Sequence, residues 1–264
     1  MSGDSSERTG GGESARPPRA EIIQAETPAD VAALAASLFD EISMRALTKR
    51  KVFHVALAGG TTPLAMYRLL ADPRFEIDWH DIHVYMGDER CLPEGDPERN
   101  DRAAREALID RVPIPKENVH FVDPLADDAA DAYEAELRRS IVTGEDLPRF
   151  DLILLGMGPD GHTASLFPGH AALDETTRLV VKIHGSPKPP PDRITFTLPL
   201  IKAARAVMLF VTGAEKREAL RRALAGDPGV PTGRIKPAPP GELFVVADRA
   251  ALGDMIPKPV PKRV

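Results

Sequence analysis

Asp160, Gly161 and His162 stand together in the run LLGMGPDGHTASLFPG at 154–169. A histidine with its ordinary pKa near 6.5 is mostly neutral at pH 7 and can take a proton from water. A carboxylate two residues away can orient the ring. The same run spells G-x-G-x-x-G through Gly156, Gly158 and Gly161, the spacing of a dinucleotide-binding turn. That fingerprint needs a long apolar helix after the third glycine, and an acid ending the next strand to hold the ribose hydroxyls. Here Pro168-Gly169 breaks the chain seven residues after Gly161, and the next apolar run, RLVVKI, ends in Lys182-Ile183. The spacing is therefore read as coincidental, and no NAD site is expected. What remains is a glycine-supported turn carrying Asp160 and His162, with a capping aspartate and a surface histidine as the plain alternative.

A second set of residues suits an anion. In AGGTTP (58–63), Gly59 and Gly60 allow close backbone approach, Thr62 suits an N-cap and Pro63 the first helical position. Such a turn aims free N–H groups at a phosphate, or simply caps a helix. It is not a Walker loop, because G-x-x-x-x-G-K-[ST] is absent. Lys216 in TGAEKREAL falls in the first turn of a helix, where a cation is disfavoured by about 0.3–1 kcal/mol. A nearby anion would account for it, and Glu215 or solvent is the competing partner. Arg90 in GDER and Arg193 in DRITFT sit beside strands, where exposed arginines are also common.

Two further candidates carry less. His80 and His83 lie three apart at the entry to a strand, so they face opposite sides and do not suit a shared metal. Cys91 has no histidine in sequence reach, and no G-x-S-x-G is present, so a covalent nucleophile lacks support.

The elements that must position these residues alternate. Short β-branched runs read as strands at 52–58, 81–87, 118–122, 150–156, 178–183, 193–198, 206–212 and 243–248. Helices read at about 28–48, 63–72, 101–111, 125–142 and 213–225. Val31, Leu34, Ala35, Leu38 and Ile42 mark the buried face of the first, and Ala129, Ala132, Tyr133, Glu136, Leu137 and Ile141 that of the fourth. This is the pattern of βαβ units: a single-domain, Rossmann-like α/β three-layer sandwich around a largely parallel sheet. In such sheets ligands bind beyond the carboxyl ends of the strands, which would bring AGGTTP, GDER, GMGPDGH and TGAEK to one rim. The proline-rich HGSPKPPPD (184–192) reads as a rigid surface loop and a candidate cover for the site.

The 264 residues, 42% hydrophobic and 28% charged, are ample for one buried core. A net charge of −6 provides no overall positive field for nucleic acid or an anionic membrane. One cysteine excludes a disulfide framework and a thiolate-rich metal site. With no long apolar run and no apolar core near the N-terminus, the chain is expected to be cytoplasmic. Residues 1–20 read as a disordered arm, 21–254 as the α/β domain and 255–264 as a proline-rich tail.

Taken together, LAGGTTPLAMYRLL (57–70), MGDERCLP (86–93), LILLGMGPDGHTASLFPG (152–169), PKPPPDRITFTLPLI (187–201) and TGAEKREAL (212–220) resemble, in order, the motifs of the 6-phosphogluconolactonase family. The resemblance runs from about 20 to 250 and rests most on DGHTASLFPG. It implies hydrolysis of 6-phospho-D-glucono-1,5-lactone in the oxidative pentose phosphate pathway, without cofactor or metal. It implies a catalytic pair, His162 and Asp160, and substrate binding by Gly59, Gly60, Thr61, Thr62, Asp88, Glu89, Arg90, Asn100, Arg193 and Lys216. The expected partner is a phosphosugar lactone, with neither nucleic acid nor membrane, and the expected assembly a monomer.

Two positions depart from the family pattern. Thr61 replaces the usual serine of the first loop, and Arg99-Asn100 stands where a Ser-Asn pair is usual, which leaves the role of position 99 open. The related glucosamine-6-phosphate deaminases typically place a glutamate shortly after D-G-H. Here Leu166-Phe167 occupies that place. A non-catalytic sugar-phosphate sensor is the remaining alternative, but residues 1–20 are too short and polar for a helix-turn-helix.

Overall fold

The computed structural model describes residues 20–142, 144 and 146–255, so the arm and tail expected at the two ends fall almost wholly outside the described residues. In chain order the elements are β1 (Glu21–Ala25), α1 (Pro28–Arg50), β2 (Phe53–Leu57), α2 (Thr61–Leu70), β3 (Ile82–Met86), β4 (Asp88–Arg90), α3 (Asn100–Ala107), β5 (Val119–His120) and α4 (Ala129–Ser140). There follow β6 (Leu152–Gly156), β7 (Val180–Ile183), β8 (Arg193–Phe196), α5 (Leu198–Ala203), β9 (Ala206–Val211), α6 (Arg217–Leu224), β10 (Glu242–Asp248) and α7 (Arg249–Leu252).

Seven strands form a parallel sheet in the order β1-β10-β9-β6-β2-β3-β5. Side chains alternate across it, as the period of two requires. Leu152, Leu154, Met208 and Phe210 face a core layer shared with α1, α2 and α3. Ile153, Leu155, Val207, Leu209 and Val211 face a second layer closed by α4, α5, α6 and α7. This is the three-layer α/β sandwich that the alternation implies. No helix among the described residues is long and apolar enough to cross a membrane.

Helix α1 starts because Thr27 and Asp30 cap reciprocally: the Asp30 N–H donates to Thr27 Oγ1 at 3.2 Å, and the Thr27 N–H to Asp30 Oδ2 at 3.0 Å. Its buried face carries Val31, Ala35, Phe39, Ile42 and Ala46. Leu34, expected on that face, is 39% exposed, and Phe39 takes the central place in contact with Phe53.

The strands at β7 and β8 do not join the parallel sheet. With β4 they make a separate three-stranded antiparallel sheet, order β4-β8-β7, in the second layer. Its register sets Asp88 opposite Thr195 and Arg90 opposite Arg193. Since β4 directly follows β3, the chain passes from the large sheet to the small one within two residues.

Candidate active site

From β2 the chain runs outward through β3 to β5, whereas β6 lies on the other side of β2 and leads outward to β9. The carboxyl ends of β2 and β6 thus flank the switch point, where an open α/β sheet leaves a crevice. A cavity of about 280 Å3 lies there, lined by Gly59, Gly60, Thr61, Thr62, Asp88, Arg90, Asn100, His162, Arg193 and Lys216 among others.

On the β2 side the wall is backbone. Gly60 precedes α2 with φ 101°, a left-handed conformation open chiefly to glycine. No side chain among the described residues caps this helix. Thr62, expected as the N-cap, lies inside the first turn, and its hydroxyl meets that of Thr212 at 3.1 Å instead. The N–H groups of Thr61 and Thr62 therefore remain at the positive end of a ten-residue helix, a setting for an anion. Buried Tyr67 holds this corner: its hydroxyl accepts from the Ala58 N–H and donates to the Ala58 carbonyl, both at 2.9 Å. Asn100 closes the other flank. A β-carbon at Gly59 would lie 2.1 Å from its Oδ1, so the glycine makes room for it, and its Nδ2 donates to the Asp88 carbonyl at 3.0 Å.

On the β6 side the wall is a side-chain pair. Asp160 Oδ1 lies 2.5 Å from His162 Nδ1, which places the ring hydrogen on Nδ1 and leaves Nε2 without a partner among the described residues. Two of the three glycines now have local reasons. A β-carbon at Gly158 would sit 2.1 Å from the His162 ring, and Gly161 has φ 78° with Val230 packed against it. At these two positions the spacing serves the histidine loop. Phe167 packs against the imidazole with centroids 4.8 Å apart and the rings tilted by 32°. Burial holds the His162 pKa below its ordinary value, against the pull of Asp160, and Lys188 acts in the same direction as burial. Asp160 itself stands behind the ring and does not line the cavity.

The small sheet brings charge. Asp88 is buried, accepts from Ser165 Oγ at 2.7 Å, and is pushed up by burial against the pull of Ser165, Arg193 and Arg90. Arg90 lines the cavity, and its buried Nε has no hydrogen-bond partner among the described residues. Arg193 is nearly spoken for: Nε donates to Pro190 O (3.2 Å), Nη2 to Lys188 O (3.2 Å) and Pro189 O (2.9 Å), and Nη1 to Ser165 Oγ (3.4 Å). It clamps the 184–192 loop and has little left to donate to a ligand. Lys216 lies in a 3-10 turn ahead of α6, not within a longer helix, and burial lowers its pKa against Glu215 and Asp248.

Glu89 does not reach the cavity. It is fully buried, accepting from the N–H groups of Arg90 (2.7 Å), Asn100 (2.8 Å) and Asp101 (2.8 Å), so it caps α3 and thereby sets Asn100. Burial pushes its carboxyl up to about 7. Arg99, whose role the sequence left open, points away and is held by Asp101 at 2.9 and 2.7 Å. His80 is exposed and bonds to Asp81, while His83 bonds to His120 at 2.9 Å, so the two histidines do not converge. Burial pushes the Cys91 thiol up, away from a reactive thiolate.

Two residues escaped the sequence reading. Ser165 lies within DGHTASLFPG, but nothing local marks its bond to Asp88, 77 positions away. Lys188 was hidden in a proline run; its Nζ reaches His162 Nδ1 at 3.2 Å.

A switch-point cavity with a helix N-terminus, several cations and one neutral imidazole has the make-up of an α/β protein that handles a small anionic ligand. The chain belongs to the glucosamine-6-phosphate isomerase/6-phosphogluconolactonase family, whose model matches residues 26–245. It is 45% identical over 205 residues to the 6-phosphogluconolactonase of Streptomyces coelicolor, covering 74% of this chain and 78% of that protein. The solved 6-phosphogluconolactonase of Trypanosoma brucei superposes with a TM-score of 0.80 at 29% identity, covering 90% of this chain and all (100%) of that one. A monomeric glucosamine-6-phosphate deaminase shares the fold at a TM-score of 0.73 and 20% identity, covering 88% of this chain and 98% of that one.

Proposed function

We propose that the chain hydrolyses 6-phospho-D-glucono-1,5-lactone to 6-phosphogluconate, the lactone-opening step of the oxidative pentose phosphate pathway, with His162 as general base. The Asp160–His162 pair carries this reading: one ring nitrogen is fixed on the carboxylate at 2.5 Å and the other has no partner among the described residues. Nε2 takes a proton from water as its oxygen attacks C1, and the carbonyl oxygen becomes an oxyanion. The C1–O5 bond then breaks, and the imidazolium returns the proton to the ring oxygen. The phosphate rests on the Thr61 and Thr62 N–H groups with Lys216 beside them, and Arg90, with its unpartnered Nε, serves the lactone end. Arg193 contributes position through the loop it clamps.

The deaminase alternative loses ground in the structure. Leu166 and Phe167 stand where the deaminase glutamate would, both buried, and Phe167 packs on the imidazole. Ammonia release from glucosamine 6-phosphate is expected at background.

The test is hydrolysis of freshly generated lactone coupled to 6-phosphogluconate dehydrogenase. His162→Ala should lower kcat by at least about 10²-fold with KM little changed. Near-normal turnover would overturn the base assignment. Because a general base works only when neutral, kcat/KM of the wild-type protein should fall on acidification through a pKa below the ordinary histidine value.

A further inference from the structure

The 184–192 loop is closed on itself and bolted to the small sheet. The Ser186 N–H donates to Pro191 O at 2.9 Å, Ser186 Oγ donates to Lys188 O at 2.7 Å, and Lys188 N–H donates back to Ser186 Oγ at 3.2 Å. Arg193 adds the three carbonyl contacts described above, one of them to Lys188 itself. The backbone that bears Lys188 is thus fixed relative to the floor of the cavity.

From that anchor the Lys188 ammonium reaches the catalytic pair, 3.2 Å from His162 Nδ1 and 3.8 Å from Asp160 Oδ1. Nδ1 already gives its hydrogen to Asp160, so it has no lone pair to offer the lysine. The contact is therefore a cation set beside a carboxylate–imidazole pair. We propose that Lys188 is a positioning residue for the base, its charge offsetting that of Asp160 so that the imidazole stays the neutral member of the pair. This role rests on His162 being the base.

Such an offset adds to burial, which already lowers the His162 pKa. Asp160 orients the ring but also favours the imidazolium, which cannot accept a proton from water. Asp88, facing the ring from β4, pulls the same way. Lys188 opposes both. It also speeds the second half of the reaction, because an imidazolium beside an ammonium gives its proton to the ring oxygen more readily. Lys216, on the far wall, feels the same cation.

The experiment compares kcat/KM against pH for the wild type, Lys188→Gln and Lys188→Arg, with His162→Ala as baseline. It is paired with an NMR titration of the His162 ring in the unliganded protein. In Lys188→Gln the His162 titration should move to higher pH and the acid limb of kcat/KM with it. On that limb the rate should fall about fivefold relative to wild type, the effect of one unit charge about 4 Å away in water-like surroundings. Lys188→Arg should restore both. An unmoved titration, or a rise in KM with equal loss at every pH, would overturn the proposal and make Lys188 a substrate contact or a loop anchor. Normal turnover by His162→Ala would instead overturn the base reading on which the role depends.

Discussion

The parallel sheet and the small antiparallel sheet furnish different materials to one cavity. The parallel sheet supplies loops in which glycines let the backbone act: free N–H groups at α2, and a turn at 156–162 tight enough to seat an imidazole against Gly158. The antiparallel sheet supplies buried and half-buried charge, in Asp88, Arg90 and Arg193, and through Arg193 it fixes the loop that carries Lys188. Backbone geometry is set locally and tolerates few residue types. Buried charges need partners from several elements, so their positions depend on contacts distant in sequence.

That difference can be broken from either side. On the parallel side, Gly158→Ala places a methyl 2.1 Å from the His162 ring and must displace it. Its cost should fall on turnover, about 10²-fold in kcat. Thermal stability should change little, because the displaced atoms are a side-chain end. A drop in Tm with normal kcat would show that the turn serves folding rather than the ring. On the antiparallel side, Arg193→Ala removes all its loop contacts and leaves Asp88 with less compensation. Here stability should fall by about 2–4 kcal/mol, and kcat/KM by about tenfold as the loop loosens. Chemical denaturation and steady-state kinetics measure the two parts, and an unaltered unfolding midpoint would refute the clamp.

Glu89 joins the two regions, and its expected effect is the smallest. Its folded pKa, about 7, lies above the ordinary 4.5, so the folded state binds this proton more tightly than the unfolded chain does. The resulting stabilisation is complete below about 4.5 and is lost as pH rises towards 7. Glu89→Gln should flatten that portion of the stability-versus-pH curve, and should cost about 1 kcal/mol at neutral pH by weakening the α3 cap. A curve of unaltered slope would assign the pH dependence elsewhere.

The same division explains what could be read from the sequence. β2, β3, β6, β9 and β10 are apolar runs ending in glycine or polar turns, and their boundaries fall within a few residues of the expected ones. β1, EIIQA, is a half-exposed edge strand directly after the expected arm, with too little apolar pattern to stand out. β4 is DER, three charged residues that no periodicity marks as a strand; it exists because it pairs with β8. The β7 and β8 runs were legible as strands but not as a second sheet, since pairing partners are not a local property. In the site, His162, Asp160 and the glycines announced themselves through local spacing. The commitment of Arg193 to loop carbonyls, the withdrawal of Glu89 beneath α3 and the reach of Lys188 are products of packing between distant segments.

The Tyr67 hydroxyl has a kinetic meaning as well as a geometric one. By answering both the N–H and the C=O of Ala58, it completes a small ring that joins the end of β2 to the body of α2. Within that ring the backbone leading to the Thr61 and Thr62 N–H groups has its direction set before any ligand arrives. For a phosphate seated here as proposed, this turn would be set in advance, so that selection would fall on the shape and charge of the newcomer. Under that proposal, binding would carry little ordering cost at this turn, and its rate would depend more on encounter than on rearrangement there.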